Sequence, residues 1–131
     1  MTFRWITALA AAALLLAACG GSDDNDRTKA KLRLVNASSA YAEIDLFVED
    51  TLRQGSVGYG NSASYVEVDP SEADSKITRS GSTTALLSFK PGIERDKHDT
   101  VLAHGAEGAL RQMLVDDNVD EPDSGRTLLR V

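Results

Sequence analysis

The chain has one cysteine in 131 residues, so no internal disulfide can hold it together. It also lacks basic excess. Fourteen Lys and Arg face twenty Asp and Glu, a formal net charge of −6. Such a surface repels nucleic-acid phosphates and anionic headgroups, and nucleic acid is excluded as a partner. No apolar run reaches the roughly 20 residues of a membrane-spanning helix. After the first twenty residues no stretch carries a 3.6-residue apolar period, and no Ser-His-Asp or H-E-x-x-H arrangement can be read. Those absences remove the commonest routes to catalysis and leave apolar burial and sheet hydrogen bonding as the sources of stability.

What is present begins with a basic head, Met1 to Arg4, followed by an apolar run from Trp5 to Leu16 broken only by Thr7. This is the layout of a secretory signal peptide. The run stops at Cys19, and Gly20-Gly21-Ser22-Asp23-Asp24-Asn25-Asp26 is polar and suits a solvated tether. The order Leu16-Ala17-Ala18-Cys19 resembles the lipobox of bacterial lipoproteins. That resemblance implies that residues 1–18 are removed, that the Cys19 thiol carries a diacylglyceryl group, and that the new amine is acylated. A single acyl chain holds a membrane marginally, at about 0.8 kcal/mol per buried CH₂, and two or more hold firmly. The membrane is thus an expected partner through Cys19. In lipoproteins of two-membrane bacteria an Asp directly after the lipidated Cys favours inner-membrane retention. Gly20 at that place implies the outer membrane.

The body alternates with period two. In Ala42-Glu43-Ile44-Asp45-Leu46-Phe47-Val48-Glu49 the even positions are apolar and three of the four odd ones acidic, which sets one face on a core and the other in water. Similar runs occur at Lys31 to Asn36, Ser64 to Asp69, Ser75 to Arg79, Thr84 to Lys90, Asp99 to His104 and Ala109 to Val115. Turn-forming groups separate them, including Val57 to Ser62, Asp69-Pro70-Ser71, Ser80-Gly81-Ser82 and Lys90-Pro91-Gly92. About seven to nine short strands at this spacing predict an all-β sandwich, immunoglobulin-like or transthyretin-like. The expected core is Leu32, Leu34, Ile44, Leu46, Val48, Val66, Val68, Ile77, Leu87, Phe89, Val101, Ala103 and Leu114.

Lys31 to Ser38, Ile44 to Val48, Val57-Gly58-Tyr59-Gly60, Tyr65-Val66 and Thr100 to Gly105, taken in order, resemble the bacterial family called domain of unknown function 4397 (DUF4397). The resemblance implies a secreted or lipid-anchored β-sandwich, often in tandem, and carries over no catalytic residue. Asp69-Pro70-Ser71-Glu72-Ala73-Asp74 departs from the family's usual Pro-Ala-Gly type of turn. Arg126-Thr127-Leu128-Leu129-Arg130-Val131 echoes Lys29-Ala30-Lys31-Leu32-Arg33-Leu34 at an offset of 97. The expected organisation is a signal peptide at 1–18, lipidated Cys and tether at 19–29, the sandwich at 30–120, and at 121–131 a linker with the first strand of a truncated second copy. A bare terminal strand invites pairing, so a protein partner or a homodimer through the C-terminal strand is expected.

Candidate chemistry is thin. Gly58-Tyr59-Gly60-Asn61-Ser62-Ala63 fits G-x-G-x-x-A, but that fingerprint needs a following helix and a strand is read there instead. Asp116, Asn118 and Asp120 alternate oxygens as a calcium loop does, yet Glu121 and Thr127 stand where Gly and Glu belong, so this is a weak calcium candidate. His98 and His104 are the only histidines, one beside a charged loop and the other at a strand end before Gly105, and no Cys is free to join them. Structural packing is the reading for Tyr41, Tyr59 and Tyr65; the alternative is that they stack on sugars, with Tyr59 and Tyr65 the speculative ligand-binding pair. No cofactor is expected. The resulting reading is a non-catalytic, lipid-anchored envelope protein acting as a structural or interaction module; the alternative is a lipoprotein recognising glycan or peptide through the turns near Tyr59 and Asp116.

Overall fold

The computed structural model describes residues 27–70, 74–118 and 122–129. The expected signal peptide, Cys19, most of the tether and Asp120 lie outside them. The described residues form strands and no helix: β1 (Ala30–Asn36), β2 (Glu43–Val48), β3 (Thr51–Gly58), β4 (Val66–Val68), β5 (Ser75–Arg79), β6 (Ala85–Phe89), β7 (His98–His104) and β8 (Arg111–Asp116). They make two four-stranded sheets, ordered β4-β1-β7-β8 and β3-β2-β5-β6, packed as the expected sandwich. Without a helical layer, the apolar face of each sheet is closed by the other.

Alternation builds that core. In β1, Ala30, Leu32, Leu34 and Asn36 point inward and are fully buried, and Lys31, Arg33 and Val35 face outward. Ile44, Leu46, Ile77 and Val101 complete the centre, each fully buried. Burying one such side chain stabilises by about 1.5–3 kcal/mol. Every expected core residue is in this cluster or, as with Val66, Leu87, Phe89 and Leu114, packed partly buried against it.

Pairing is antiparallel throughout except between β1 and β7, which run parallel with Leu32 opposite Asp99 and Asn36 opposite Ala103. Since Lys31 lies opposite His98 and Asp99 opposite Asp116, the start of β1 and the end of β8 leave at the same end of the sandwich. The turn at Tyr59 and Gly60 lies at the other end, where the Gly60 amide donates to the Asn36 carbonyl at 2.8 Å.

Two expectations need correction, and a third residue, Tyr41, takes the packing role read for it. Val57 and Gly58, read as turn, belong to β3, an outer strand with only Leu52 and Val57 apolar and therefore no alternation to betray it. Its pairing with β2 is irregular at Leu46, and Ser56 takes a positive φ of 54°. Asp45 does not face water: it is 4% exposed, because the bulged strand brings the Ser56 amide to Oδ1 at 2.7 Å and the turn brings the Gly81 amide to Oδ2 at 3.0 Å. Tyr41 is core, 2% exposed, its hydroxyl accepting from the Gly108 amide at 3.0 Å and its ring under the Arg79 guanidinium.

Side-chain amides of Asn36 and Gln54 join the sheets, Asn36 through the Val57 carbonyl. Gln54 of β3 reaches into β1, where Oε1 accepts from the Leu34 amide at 2.5 Å and Nε2 donates to the Leu32 carbonyl at 3.4 Å and to the Ser64 carbonyl. β4 pairs only with Ala30 to Leu32, so the Gln54 amide stands where the next ladder rung is missing.

Candidate functional site

The densest polar cluster sits on the outer face of the β1-containing sheet. Arg33 Nε donates to Thr100 Oγ1 at 2.8 Å, and both the Thr100 hydroxyl and, at 2.9 Å, the Tyr65 hydroxyl donate to Asp117 Oδ2. Arg33 Nη2 lies 3.7 Å from the same oxygen, and its guanidinium carbon sits 4.7 Å above the Tyr65 ring. His98 meets Tyr65 edge-on, ring centres 5.2 Å apart. Register explains the meeting: Arg33 lies opposite Thr100, and Asp117 follows β8 where its amide donates to the His98 carbonyl. Burial, then the hydrogen bond to Asp117 and that carboxylate's charge, push the Tyr65 phenol above its usual value, with Arg33 opposing. The Asp117 carboxylate is the hub. Each hydroxyl is already engaged and Thr100 is 5% exposed, so the cluster ties β1, β7 and the segment before β4 rather than activating a nucleophile.

Beneath the cluster, at the end where β1 starts, Gly92, Glu94, Lys97, Asp99, Leu114 and Asp116 line a cleft of about 230 Å³. Asp99 continues the inward series of Val101 and Ala103 and is 6% exposed. Burial, then the Asp116 and Asp117 carboxylates, raise its pKa; Lys97 opposes and Glu94 adds to the rise. A second cleft of about 420 Å³ beside β5 and β6 is lined by Lys76 and Lys90, which pair with Asp50 and Asp74.

The residues singled out in the sequence do not converge. Tyr59 is 57% exposed at one end, whereas Tyr65 is packed under Arg33 near the other. Asp116 likewise lies at the end away from Tyr59. Asp116 Oδ1 accepts from the Asn118 amide at 2.8 Å and from Asn118 Nδ2, while Asn118 Oδ1 accepts from the His98 amide. That is an Asx-type turn closing β8 over β7. Among the described residues no three His, Cys, Asp or Glu side chains are placed to hold a metal ion. His98 and His104 stand at opposite ends of β7. After Gly58 closes β3, Tyr59 to Ala63 lead by a turn to β4, with no helix after them.

Each sheet ends on two outer strands, β4 and β8 in one and β3 and β6 in the other. β8 has Met113 53% exposed on the outer face and Leu114 partly buried on the inner one. Gln112, inward beside Ala103, has an Oε1 that is buried without a hydrogen-bond partner. β3, one of the two outer strands of the other sheet, exposes Leu52. Residues 122–129 form no strand and are exposed throughout, Leu128 at 55% and Leu129 at 82%. A turn closed by the Arg126 amide on the Asp123 carbonyl at 2.9 Å, with Gly125 at a φ of 82°, sets their direction. No helix of the described residues is long and apolar enough to cross a membrane.

The acidic cleft and the Asp117 hub were not singled out in the sequence. For Asp99 a signal existed: its alternation with Val101 and Ala103 fixes a carboxylate on the inner face. Residues 30–131 match a family described as Domain of unknown function (DUF4397). A comparison with curated proteins finds no match.

Proposed function

The chain belongs to the DUF4397 family, a domain of unknown function, and from that premise we propose that it is a non-catalytic, lipid-anchored envelope protein that works as an interaction module. The supporting observation is two open outer strands, β3 and β8, each carrying an apolar side chain, Leu52 or Met113, more than half exposed. Such edges receive an extended segment by main-chain hydrogen bonding. An enzyme needs converging ionisable groups that face a cavity. Here the main convergence, around Asp117, is consumed by its own hydrogen bonds. Stacking on a sugar needs exposed rings in one plane, and among the tyrosines Tyr41 is buried and Tyr65 covered, so extended peptide suits this surface better than glycan.

The anchor rests on the lipobox-like order Leu16-Ala17-Ala18-Cys19 and the polar tether behind it. Gly20 supports outer-membrane placement. Expression of the full chain and of a Cys19→Ser variant, followed by membrane fractionation and intact-mass measurement, tests it. The unaltered chain should begin at Cys19, carry acyl groups and sediment with outer membranes, and the variant should not be acylated. An unacylated native chain in the aqueous fraction would remove the anchor from the proposal.

A further inference from the structure

Two surfaces near the chain's C-terminal end are left unmet within one copy. One is the β8 edge, with exposed Met113, half-covered Leu114 and the orphaned Gln112 oxygen. Beside it the acidic cleft holds the Asp99 carboxylate, 6% exposed and close to Asp116 and Glu94. The other is Arg126-Thr127-Leu128-Leu129, exposed throughout; in sequence it continues with Arg130-Val131, and the six residues, an apolar centre between two arginines, echo the stretch that contains the start of β1. Its leucines are exposed although the segment begins ten residues after β8 ends.

We infer that residues 126–131 of a second copy add to β8 as an antiparallel fifth strand of the sheet, each copy giving and receiving one. The proposal rests on the interaction-module reading and names the partner as the chain itself. Register follows from charge and side-chain direction. With Arg126 opposite Asp116, Leu128 falls opposite Leu114 and Arg130 opposite Gln112. All three point inward, because opposed residues share a face.

In that register the Arg126 guanidinium enters the cleft between Asp99, Glu94 and Asp116. Leu128 covers Leu114, and Arg130 supplies a donor to the Gln112 oxygen. On the outer face Leu129 meets Met113. A slip of one residue either brings Val131 against Gln112 and leaves that oxygen unmet, or sets Arg130 against Arg111. The charged lining comes from three places: Glu94 and Lys97 from the loop before β7, Asp99 from β7 and Asp116 from β8. The surplus is acidic, and a guanidinium neutralises it better than an ammonium because it can bridge two carboxylates.

The test uses full-length chains in which Cys19→Ser leaves only introduced thiols, so a failure of lipid anchoring cannot be mistaken for a failure of exchange. One chain carries Met113→Cys and the other Leu129→Cys. Directly opposed residues place their Cβ atoms about 4.5–5.5 Å apart, close to disulfide distance. Mixing and mild oxidation should give a covalent heterodimer, reversed by reductant. A Thr127→Cys chain, two residues out of register, should crosslink to Met113→Cys at least about tenfold less.

Arg126→Glu with Arg130→Glu should shift an analytical-ultracentrifugation dimer to monomer with an unchanged β signal in circular dichroism. Three results overturn the proposal: equal crosslinking from both positions, a native chain that stays monomeric, or a Met113→Cys/Leu129→Cys chain that closes only on itself. The last would assign the same strand to its own copy.

Discussion

Asn36 shows how much one inward polar residue can carry. It is fully buried, its Nδ2 donating to the Tyr41 carbonyl at 3.0 Å and the Val57 carbonyl at 3.1 Å, and its Oδ1 accepting from the Ser38 amide. Asn36→Ala strands three buried backbone groups, and thermal denaturation should record a loss of about 3 kcal/mol. Asp99 works in the opposite direction. A carboxyl whose pKa rises on folding binds more protons folded than unfolded, so stability falls as pH climbs from the ordinary carboxylate range through the raised value. Below that range both states are protonated and the penalty vanishes. Asp99→Asn should therefore raise the melting temperature at neutral pH, and the gain should fade on acidification. Calorimetry at concentrations where the chain is monomeric reads this; a variant less stable than the native chain at pH 7 would contradict the assignment. The Asn36 network cannot be read from sequence, because its carbonyl partners are set by the β1–β2 loop and by the bulged β3.

Among the elements, β3 is the one whose value exceeds its sequence signal. Its ladder to β2 is irregular, yet Gln54 gives the amide bonds that β4 is too short to supply to β1. Gln54→Leu keeps the volume and loses those bonds, for an expected cost of about 2–3 kcal/mol; Gln54→Glu loses the donor and buries a charge, and should cost more by urea denaturation. The turn from β7 to β8 is equally constrained. Gly105 has a φ of 117°, and a Cβ there would stand 2.5 Å from the Ala109 carbonyl oxygen. Gly105→Ala should lower the melting midpoint by about 10 °C, corresponding to roughly 2 kcal/mol in a domain of this size. β1, β2 and β7 were legible because Leu32 and Leu34, Ile44, Leu46 and Val48, and Val101 and Ala103 repeat an apolar side chain at every second position, and β5 through Ile77 between Lys76 and Thr78. β3 was not, since Arg53, Gly55 and Ser56 break any period, and its partners are chosen by the strand before it. The candidate site was hardly legible: Arg33, Tyr65 and Asp117 meet only through the β1–β7 register, which joins segments far apart in sequence.

At the level of the whole molecule, that parallel pair decides the order of assembly. β1 has no ladder to its sequence neighbour β2; its sheet partners are β4 and the later β7. Refolding should accordingly be slow for the size, in about the millisecond-to-second range of sandwiches dominated by non-local pairs, and stopped-flow fluorescence of Tyr41 and its fellow tyrosines can follow it. The same register sends the beginning of β1 and the finish of β8 out through one end. Tension applied between those two exits does not slide strands past each other; it peels rungs singly, from Asp116 backwards and from Lys31 forwards. Grasped at the distal turn by Tyr59 and pulled against its amino end, the domain is loaded along its strands instead, so all the rungs of β1 resist at once. The domain should thus be mechanically weak in one direction and tough in the other, a difference that optical-trap handles at the two ends and at Tyr59 would measure.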